Sequence, residues 1–330
     1  QKTAYEIGVR LVGSEMCIRD SDMLVTKGME YVTLSVDLAQ GPSNDLAHSH
    51  WLGTSQAQDG EATIQALADH LWDWIVVDHY ALDERWENAV RGSAKQLMVI
   101  DDLADRRHDC DVLLDQNFYA DMQTRYSGII PLHCQLLLGP RYALLREEFK
   151  KLRKQIKPRT GDVKKILVFF GGMDEDNYTS LAIEALVAMN NGLHVDIVIG
   201  GQHPYREKIQ NSCIAHGYEC HVQTTRMAEL MAEADFAIGA GGSASWERCC
   251  LGVPALLVAV AENQVDIANA LDSIGACVYL GTKDKINLSI LQQAMTNLLA
   301  AHGQLAITSL NAFLLVDGIG VSRVCQLLRS

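Results

Sequence analysis

Short runs of consecutive apolar residues recur along the chain, most of them followed by glycine or polar clusters. Trp74-Ile-Val-Val77, Leu97-Met-Val-Ile100, Ile166-Leu-Val-Phe-Phe170, Val195-Asp-Ile-Val-Ile199, Asp235-Phe-Ala-Ile238 and Ala255-Leu-Leu-Val-Ala-Val260 are of this kind. They are too short for helices and largely unbroken by polar residues, the pattern of strands buried on both faces of a parallel sheet. Between them apolar residues fall at helical spacing. Ile64, Leu67, Ala68 and Leu71 predict a helix over 59–71, and Leu181, Ala182, Ala185, Leu186 and Met189 predict another. Further helices are expected near 204–216, 224–235 and 262–271, with two more closing the chain. Glu30-Tyr-Val-Thr-Leu-Ser-Val36 alternates as a strand, Gly41-Pro-Ser-Asn44 is turn chemistry, and 219–222 and 277–280 add short strands. One strand and one helix every 25 to 35 residues or so predicts an α/β fold with two Rossmann-like sheets.

A length of 330 residues suits two domains. Residues 150–165 are basic and marked by Pro158 and Gly161, as linkers are, which puts the boundary near Pro158 and the domains at 22–157 and 158–330. A phosphate-binding role for this basic run is the alternative to a solvated linker. Residues 1–21 lack the continuous apolar core of a signal peptide and resemble translated sequencing-adapter sequence. They are expected to be non-native, leaving the first domain truncated, without its N-terminal strand.

Charge and cysteine usage narrow the function classes. A net charge of −13 disfavours nucleic-acid or anionic-membrane partners, which require a basic face. Nine cysteines without framework spacing suggest reduced thiols and a cytoplasmic protein. His108, Cys110 and Asp111 come nearest to a metal pattern, yet no CxxC or HxxxH accompanies them, so neither metal nor cofactor is expected. No continuous apolar run reaches the roughly 18 residues of a membrane span.

The chemistry concentrates in Gly239-Ala-Gly-Gly-Ser-Ala-Ser-Trp-Glu-Arg248, between two predicted strands. Glycines 239, 241 and 242 let backbone N–H groups approach an anion, and Ser243 is a candidate N-cap, which together suit a diphosphate at a helix start. Glu247, one turn on, can accept from both hydroxyls of a ribose. The alternative is a tight strand-to-helix turn with a surface glutamate. Gly171-Gly-Met-Asp-Glu-Asp-Asn177 repeats the plan, with Asp174 or Asp176 as N-cap and the Asn177 amide left for a ligand. In the first half, Asp78, His79 and Tyr80 end one strand and Asp101 and Asp102 end the next. Ligands of open α/β sheets bind beyond such ends, though each residue can equally cap a turn.

Five stretches together resemble one family: Trp74-Ile-Val-Val-Asp-His-Tyr-Ala-Leu82; Ile100-Asp-Asp-Leu-Ala-Asp-Arg106 with Asp115-Gln-Asn117; Leu138-Gly-Pro-Arg-Tyr-Ala-Leu-Leu-Arg-Glu-Glu-Phe149; Gly171–Asn177; and Gly239–Glu247. They are similar, in order, to the UDP-2,4-diacetamido-2,4,6-trideoxy-β-L-altropyranose hydrolases of pseudaminic acid biosynthesis, enzymes of GT-B fold related to family 28 glycosyltransferases. The resemblance covers nearly everything from residue 22. It implies two Rossmann-like domains facing across a cleft, and metal-independent hydrolysis of a UDP-sugar with inversion at the anomeric carbon. Gly171, Gly172 and Asn177 would lie at the substrate, Gly241, Gly242 and Ser243 at the diphosphate, and Glu247 at the ribose. Backbone near Met227 would meet the uracil, and Tyr80 the sugar. The family's leading Gly-x-Gly-His loop, whose His is taken as the base activating water, has no counterpart here. The chain is therefore expected to bind UDP but turn over poorly, unless Asp78 or His79 substitutes. A GT-B glycosyltransferase and a non-catalytic nucleotide-sugar binding protein are the competing readings. The oligomeric state stays open, with a monomer sufficient.

Overall fold

The computed structural model describes residues 10–13, 28, 30–34, 45–67, 71–189 and 192–329. The chain divides into two units: one runs to Asp115 and resumes over Gln123–Leu137, the other holds Gln116–Met122 and Leu138–Ser330.

In the first unit β1 (Arg10–Gly13) and β2 (Glu30–Thr33) pair in parallel as a two-stranded sheet. Arg10–Gly13 falls within the stretch expected to stand outside the fold. The remainder of residues 1–21 and the turn at Gly41–Asn44 lie outside the described residues. A four-stranded sheet follows in chain order, β3 (Trp72–Val77), β4 (Ala94–Ile100), β5 (Val112–Asp115) and β6 (Gln135–Leu138). Burial on both faces of β3 was expected, but Val76 is 48% exposed while Ile75 and Val77 are buried, so only one face of the strand is covered there.

The helix expected over 59–71 is α1, Gln56–Ala66. It starts earlier because the Ser55 hydroxyl accepts from the Gln58 N–H, the N-cap bond that ends the preceding loop. Its buried face is Gln56, Asp59, Gly60 and Thr63, continuing to Leu67, whereas Leu71 lies outside the helix and is exposed. Polar residues can face inward here because Gln56 and Asp59 find partners on or before α2 (Glu84–Val90). The Trp86 indole donates to Asp59 at 2.8 Å, and the Asp83 N–H donates to Gln56.

The second unit is built on a six-stranded sheet. Its strands are β7 (Lys165–Phe169), β8 (His194–Ile199), β9 (Glu219–Val222), β10 (Phe236–Ala240), β11 (Ala255–Ala259) and β12 (Val278–Thr282), in the order β12-β11-β10-β7-β8-β9. Adjacent strands are parallel throughout. Alternation along β7 sends Ile166 and Val168 into one apolar cluster and Leu167 into the other, and β10 and β11 divide the same way. Two-sided burial is why these strands read as unbroken apolar runs. The helices are α3 (Glu147–Arg153), α4 (Tyr178–Met189), α5 (Arg206–His216), α6 (Met227–Glu233), α7 (Ala244–Cys250), α8 (Val265–Ser273), α9 (Leu288–Leu299), α10 (His302–Leu315) and α11 (Gly320–Leu327). Three helices, rather than two, close the chain. One window within His302–Leu327 reaches a mean hydropathy of 1.6, enough by length and composition for a membrane span. The helix breaks there between α10 and α11, where Gly318 takes φ +77°, and Leu305, Thr308, Ser309, Ala312 and Val316 are buried in the unit.

The basic stretch at 150–165 is not a solvated linker. Phe149 of α3 is fully buried in the second unit's core, and Arg153 donates to the carbonyls of Cys250 and Phe313 with its guanidinium over the Phe313 ring. Arg159 gathers the carbonyls of Met231, Ala232 and Ala234 around the end of α6, and that of Leu251 beyond α7. These groups lack partners within their helices, so one buried cation satisfies two helix ends. Burial lowers the Arg159 pKa to about 10. The unit therefore begins before Pro158, at Leu138.

Phe149→Ala should destabilise the second unit by about 3–5 kcal/mol, the range for a buried aromatic. Urea unfolding monitored by tryptophan fluorescence measures it. A loss under about 0.5 kcal/mol, typical of a surface residue, would restore the linker reading.

Candidate functional site

The sheet of the second unit changes direction at its centre. From β7 the chain winds outward through β8 to β9, and from β10 it winds the other way through β11 to β12, leaving β7 and β10 as neighbours. Beyond the carboxyl ends of such a pair lies the crevice where open α/β sheets bind ligands. Both glycine loops read from the sequence emerge there.

Gly239 pairs with Phe169 across the two strands, and a Cβ on it would stand 2.1 Å from the Phe169 carbonyl oxygen. Its absence is a packing requirement. Gly241 and Gly242 differ: a Cβ on either would meet only ordinary contacts at 3.5 Å, from Gln264 and, for Gly241, Ala268. The Gly241 N–H donates to the Val258 carbonyl, so the sheet already uses it. Among the described residues, the N–H groups of Gly242 and Ser243 donate to no backbone carbonyl. Ser243 occupies the N-cap position of α7, but its hydroxyl makes no capping bond; its carbonyl accepts from Trp246 instead. Two N–H groups and one hydroxyl are thus available at the head of the turn.

Three side chains hold this turn in shape. Arg248 is wholly buried and donates to the Ala240 carbonyl at 2.6 Å and to the Ser245 hydroxyl at 3.0 Å. Burial lowers its pKa, and no carboxylate stands within ion-pair distance among the described residues. The Trp246 indole donates to Asn117 at 3.0 Å, both groups being buried. Gln264 accepts from the Val260 N–H, and its Nε2 lies 3.5 Å from where a Cβ on Gly242 would be, adding a donor beside the loop. Gln264 and Asn117 went unnoticed in the sequence as site residues. The polar Glu262-Asn-Gln264 turn directly after β11 was the available signal for the first.

Glu247 points its carboxylate toward Arg146, at 3.3 Å, with its side chain 20% exposed. Burial raises its pKa, and Arg146 opposes the shift. On the β7 side, Gly171 takes φ +105°, and nothing lies within 4 Å of a Cβ placed on Gly171 or Gly172. The Gly172 carbonyl accepts from Gly200 at the end of β8. Asp174 caps α4, accepting from the N–H groups of Tyr178 and Thr179 and from the Thr179 hydroxyl. Asp174 and Asn177 both adopt positive φ, 38° and 59°, an uncommon conformation that the cap sustains. Asn177 accepts from Ser180 through Oδ1 at 3.4 Å and borders a shallow groove of about 360 Å³ along α4, with Tyr178, Glu184, Tyr205 and Lys208. No residue of the 239–247 loop lines that groove. Met227 is the first residue of α6, its side chain buried in the core.

In the first unit, Asp78, His79 and Tyr80 follow β3, and Asp101 and Asp102 follow β4, as expected. Their chemistry diverges. Asp101 is buried and paired with Arg106 at 2.7 Å, accepts from the Ala104 N–H and receives the Tyr126 hydroxyl, which makes it structural. Partial desolvation and then the nearby Asp102 raise the Asp78 pKa. Burial and Arg106 lower that of His79, whose Nδ1 accepts from the Ala81 N–H. That bond places the proton of neutral His79 on Nε2, a donor rather than a base. Burial, and then Asp102, push the Tyr80 phenol up, and its ring packs with His48 and Trp51.

The His108, Cys110 and Asp111 pattern does not converge. His108 bonds Glu87 at 2.6 Å, Asp111 pairs with Arg91 at 2.6 Å, and Cys110 touches Cys134. Among the described residues, metal-compatible spacing occurs at Asp196, Glu219 and His221, where Lys165 already meets Asp196 at 2.9 Å.

No protein-family model matches the chain. An uncharacterized protein of Methanocaldococcus jannaschii is 24% identical over 193 residues, 56% of this chain and 40% of that protein. The spore coat polysaccharide biosynthesis protein SpsG of Bacillus subtilis is 28% identical over 214 residues, 64% of this chain and 62% of its own. The UDP-2,4-diacetamido-2,4,6-trideoxy-β-L-altropyranose hydrolase of Campylobacter jejuni is 24% identical over 214 residues, 64% and 75% of the two chains. The chain thus spans less than two thirds of the first two relatives. Among solved structures, MurG of Acinetobacter baumannii matches with a TM-score of 0.63 at 15% identity, over 94% of this chain and 88% of that one. UGT89C1 of Arabidopsis thaliana complexed with UDP matches at 0.62 and 10% identity, over 97% and 92%. The fold is therefore α/β of GT-B type, and the family resemblance carried by the five motifs is supported by a relative bearing that activity's name.

Gly239→Ala should cost about 1–3 kcal/mol or more, as overpacking does. Gly242→Ala should leave thermal stability nearly unchanged, since its Cβ meets only contacts at 3.5 Å. Paired melting curves check both, and equal losses would contradict the division between packing and ligand glycines.

Proposed function

We propose that this chain is a cytoplasmic enzyme of UDP-sugar chemistry that hydrolyses a UDP-linked 2,4-diacetamido-2,4,6-trideoxy sugar to UDP and the free sugar. The observation carrying this reading is the pair of glycine loops at the β7/β10 switch point, one with two available N–H groups and a partly buried carboxylate a turn away. The relatives supply the substrate class. Gly242 and Ser243, with Gln264 beside them, hold the diphosphate, and Gly241 gives it room. Glu247, fixed by Arg146, accepts from the ribose hydroxyls; backbone at Met227 meets the uracil; Gly171, Gly172 and Asn177 meet the rest of the substrate, and Tyr80 the sugar.

Hydrolysis requires a proton acceptor for water and a stabilised leaving group. Water attacks the anomeric carbon, its proton passes to a carboxylate, and the C–O bond to the β-phosphate breaks with the electron pair leaving on UDP. Asp78, at the end of β3, is the first unit's candidate for this, and its raised pKa makes it a stronger base than an ordinary aspartate. His79, a donor through Nε2, is suited to hold a substrate oxygen.

Calorimetric titration should give micromolar UDP affinity, weakened at least tenfold, about 1.4 kcal/mol, by Glu247→Ala. Only the ionised carboxylate accepts from two hydroxyls, and the Glu247 pKa is raised. Affinity should thus fall on acidification at a higher pH than for an ordinary carboxylate, and Arg146→Ala should move that midpoint further up. A folded chain that binds no UDP would overturn the site. Asp78→Asn should slow UDP release by about 10²–10⁴-fold with UDP affinity unchanged. Release that rises with an added sugar acceptor would make the enzyme a glycosyltransferase, and binding without any turnover a nucleotide-sugar binding protein.

A further inference from the structure

Cys110 and Cys134 lie 24 residues apart, with their sulfurs 3.6 Å from one another. Backbone geometry fixes the contact. Each cysteine directly precedes its strand's pairing region, and the Gln135 N–H donates to the Asp111 carbonyl at 2.8 Å, which locks the starts of β5 and β6 side by side. Cys110 is fully buried and Cys134 partly exposed, next to the well-exposed His133. Hydrogen bonding to its neighbour lowers the pKa of Cys134 and raises that of Cys110. A partly exposed thiol therefore stands in contact with a buried second thiol, the arrangement of an attacking and a resolving cysteine. Neither residue has a part in the hydrolysis described above.

We propose that Cys134 and Cys110 form a reversible thiol–disulfide site whose oxidant is a low-molecular-weight disulfide such as oxidised glutathione. The Cys134 thiolate attacks one glutathione sulfur, forming a mixed disulfide and expelling one glutathione thiolate. Cys110 then attacks Cys134 Sγ, expelling the second, and the two protein protons end on the released thiols. One glutathione disulfide is reduced to two glutathiones as two protein thiols become one disulfide. The bond staples β5 to β6 and closes the loop holding Tyr126, whose hydroxyl binds both Asp101 and Asp115. Oxidation thus stiffens the segment beneath the acidic cluster of the first unit.

The test incubates the full chain with oxidised glutathione, blocks remaining thiols with N-ethylmaleimide and maps peptides without reduction. The expected product joins the Cys110 and Cys134 peptides, is lost on reduction with dithiothreitol and raises the melting temperature. Cys213 and Cys220, whose thiols also hydrogen-bond, are scored from their own peptides. Cys134→Ser should leave Cys110 unmodified, and Cys110→Ser should stop at a lasting glutathione adduct on Cys134. Should Cys110→Ser fail to fold, the wild-type map and Cys134→Ser decide. A wild-type adduct that stays on Cys134 without passing to Cys110, or two thiols that remain alkylatable throughout, overturns the proposal.

Discussion

The close approach of Gly239 to the Phe169 carbonyl is the constraint on which the second unit depends. It lets β7 and β10 run side by side at the middle of the sheet, and their loops open together because their connections leave in opposite directions. Any side chain at 239 would force the strands apart and separate the two loops. The glycines that follow do a different job, leaving room and backbone donors above the strand ends. A sequence shows three glycines of equal appearance; only the packing distinguishes the one that builds the crevice from those that line it.

Charge is handled differently in the two units. In the second, buried guanidinium groups meet carbonyl oxygens: Arg248 fastens the loop at Ala240, and Arg159 closes two helix ends. A planar fork with five donors suits this, and a lysine ammonium would satisfy fewer of those oxygens in one geometry. In the first, acids are set apart by what meets them. Asp101 is buried and paired with Arg106, whereas Asp78 has an exposed residue surface and a pKa raised by partial desolvation and then by Asp102. Carboxylates that follow adjacent strands thereby play different parts.

What the sequence disclosed follows from where burial is symmetrical. Strands covered on both faces, such as Ile166–Phe170 and Ala255–Val260, announced themselves as apolar runs, and the glycine loops after them were legible for the same reason. Asymmetry hid the rest. The inward face of α1 is largely polar because Trp86 and Asp83 complement it, so hydrophobic spacing found only its end at Leu67. Lysines and arginines at 150–165 looked solvated, yet Arg153 and Arg159 turn inward to carbonyls that no residue pattern displays. Gln264 and Asn117 act through side-chain hydrogen bonds to Val260 and Trp246, which the residue pattern does not display.

The short segment Gln116–Met122 belongs to the second unit although the chain on both sides of it belongs to the first. Asn117 within it anchors Trp246, and Gln116 accepts from the Leu144 N–H. The polypeptide therefore crosses between units at three points rather than one. No single cut yields two intact halves, and an exchange of halves between relatives would strand seven residues with the wrong partner. Any rearrangement of this chain has to carry that borrowed strip along with the second unit, so the two units behave as one inseparable piece of polypeptide.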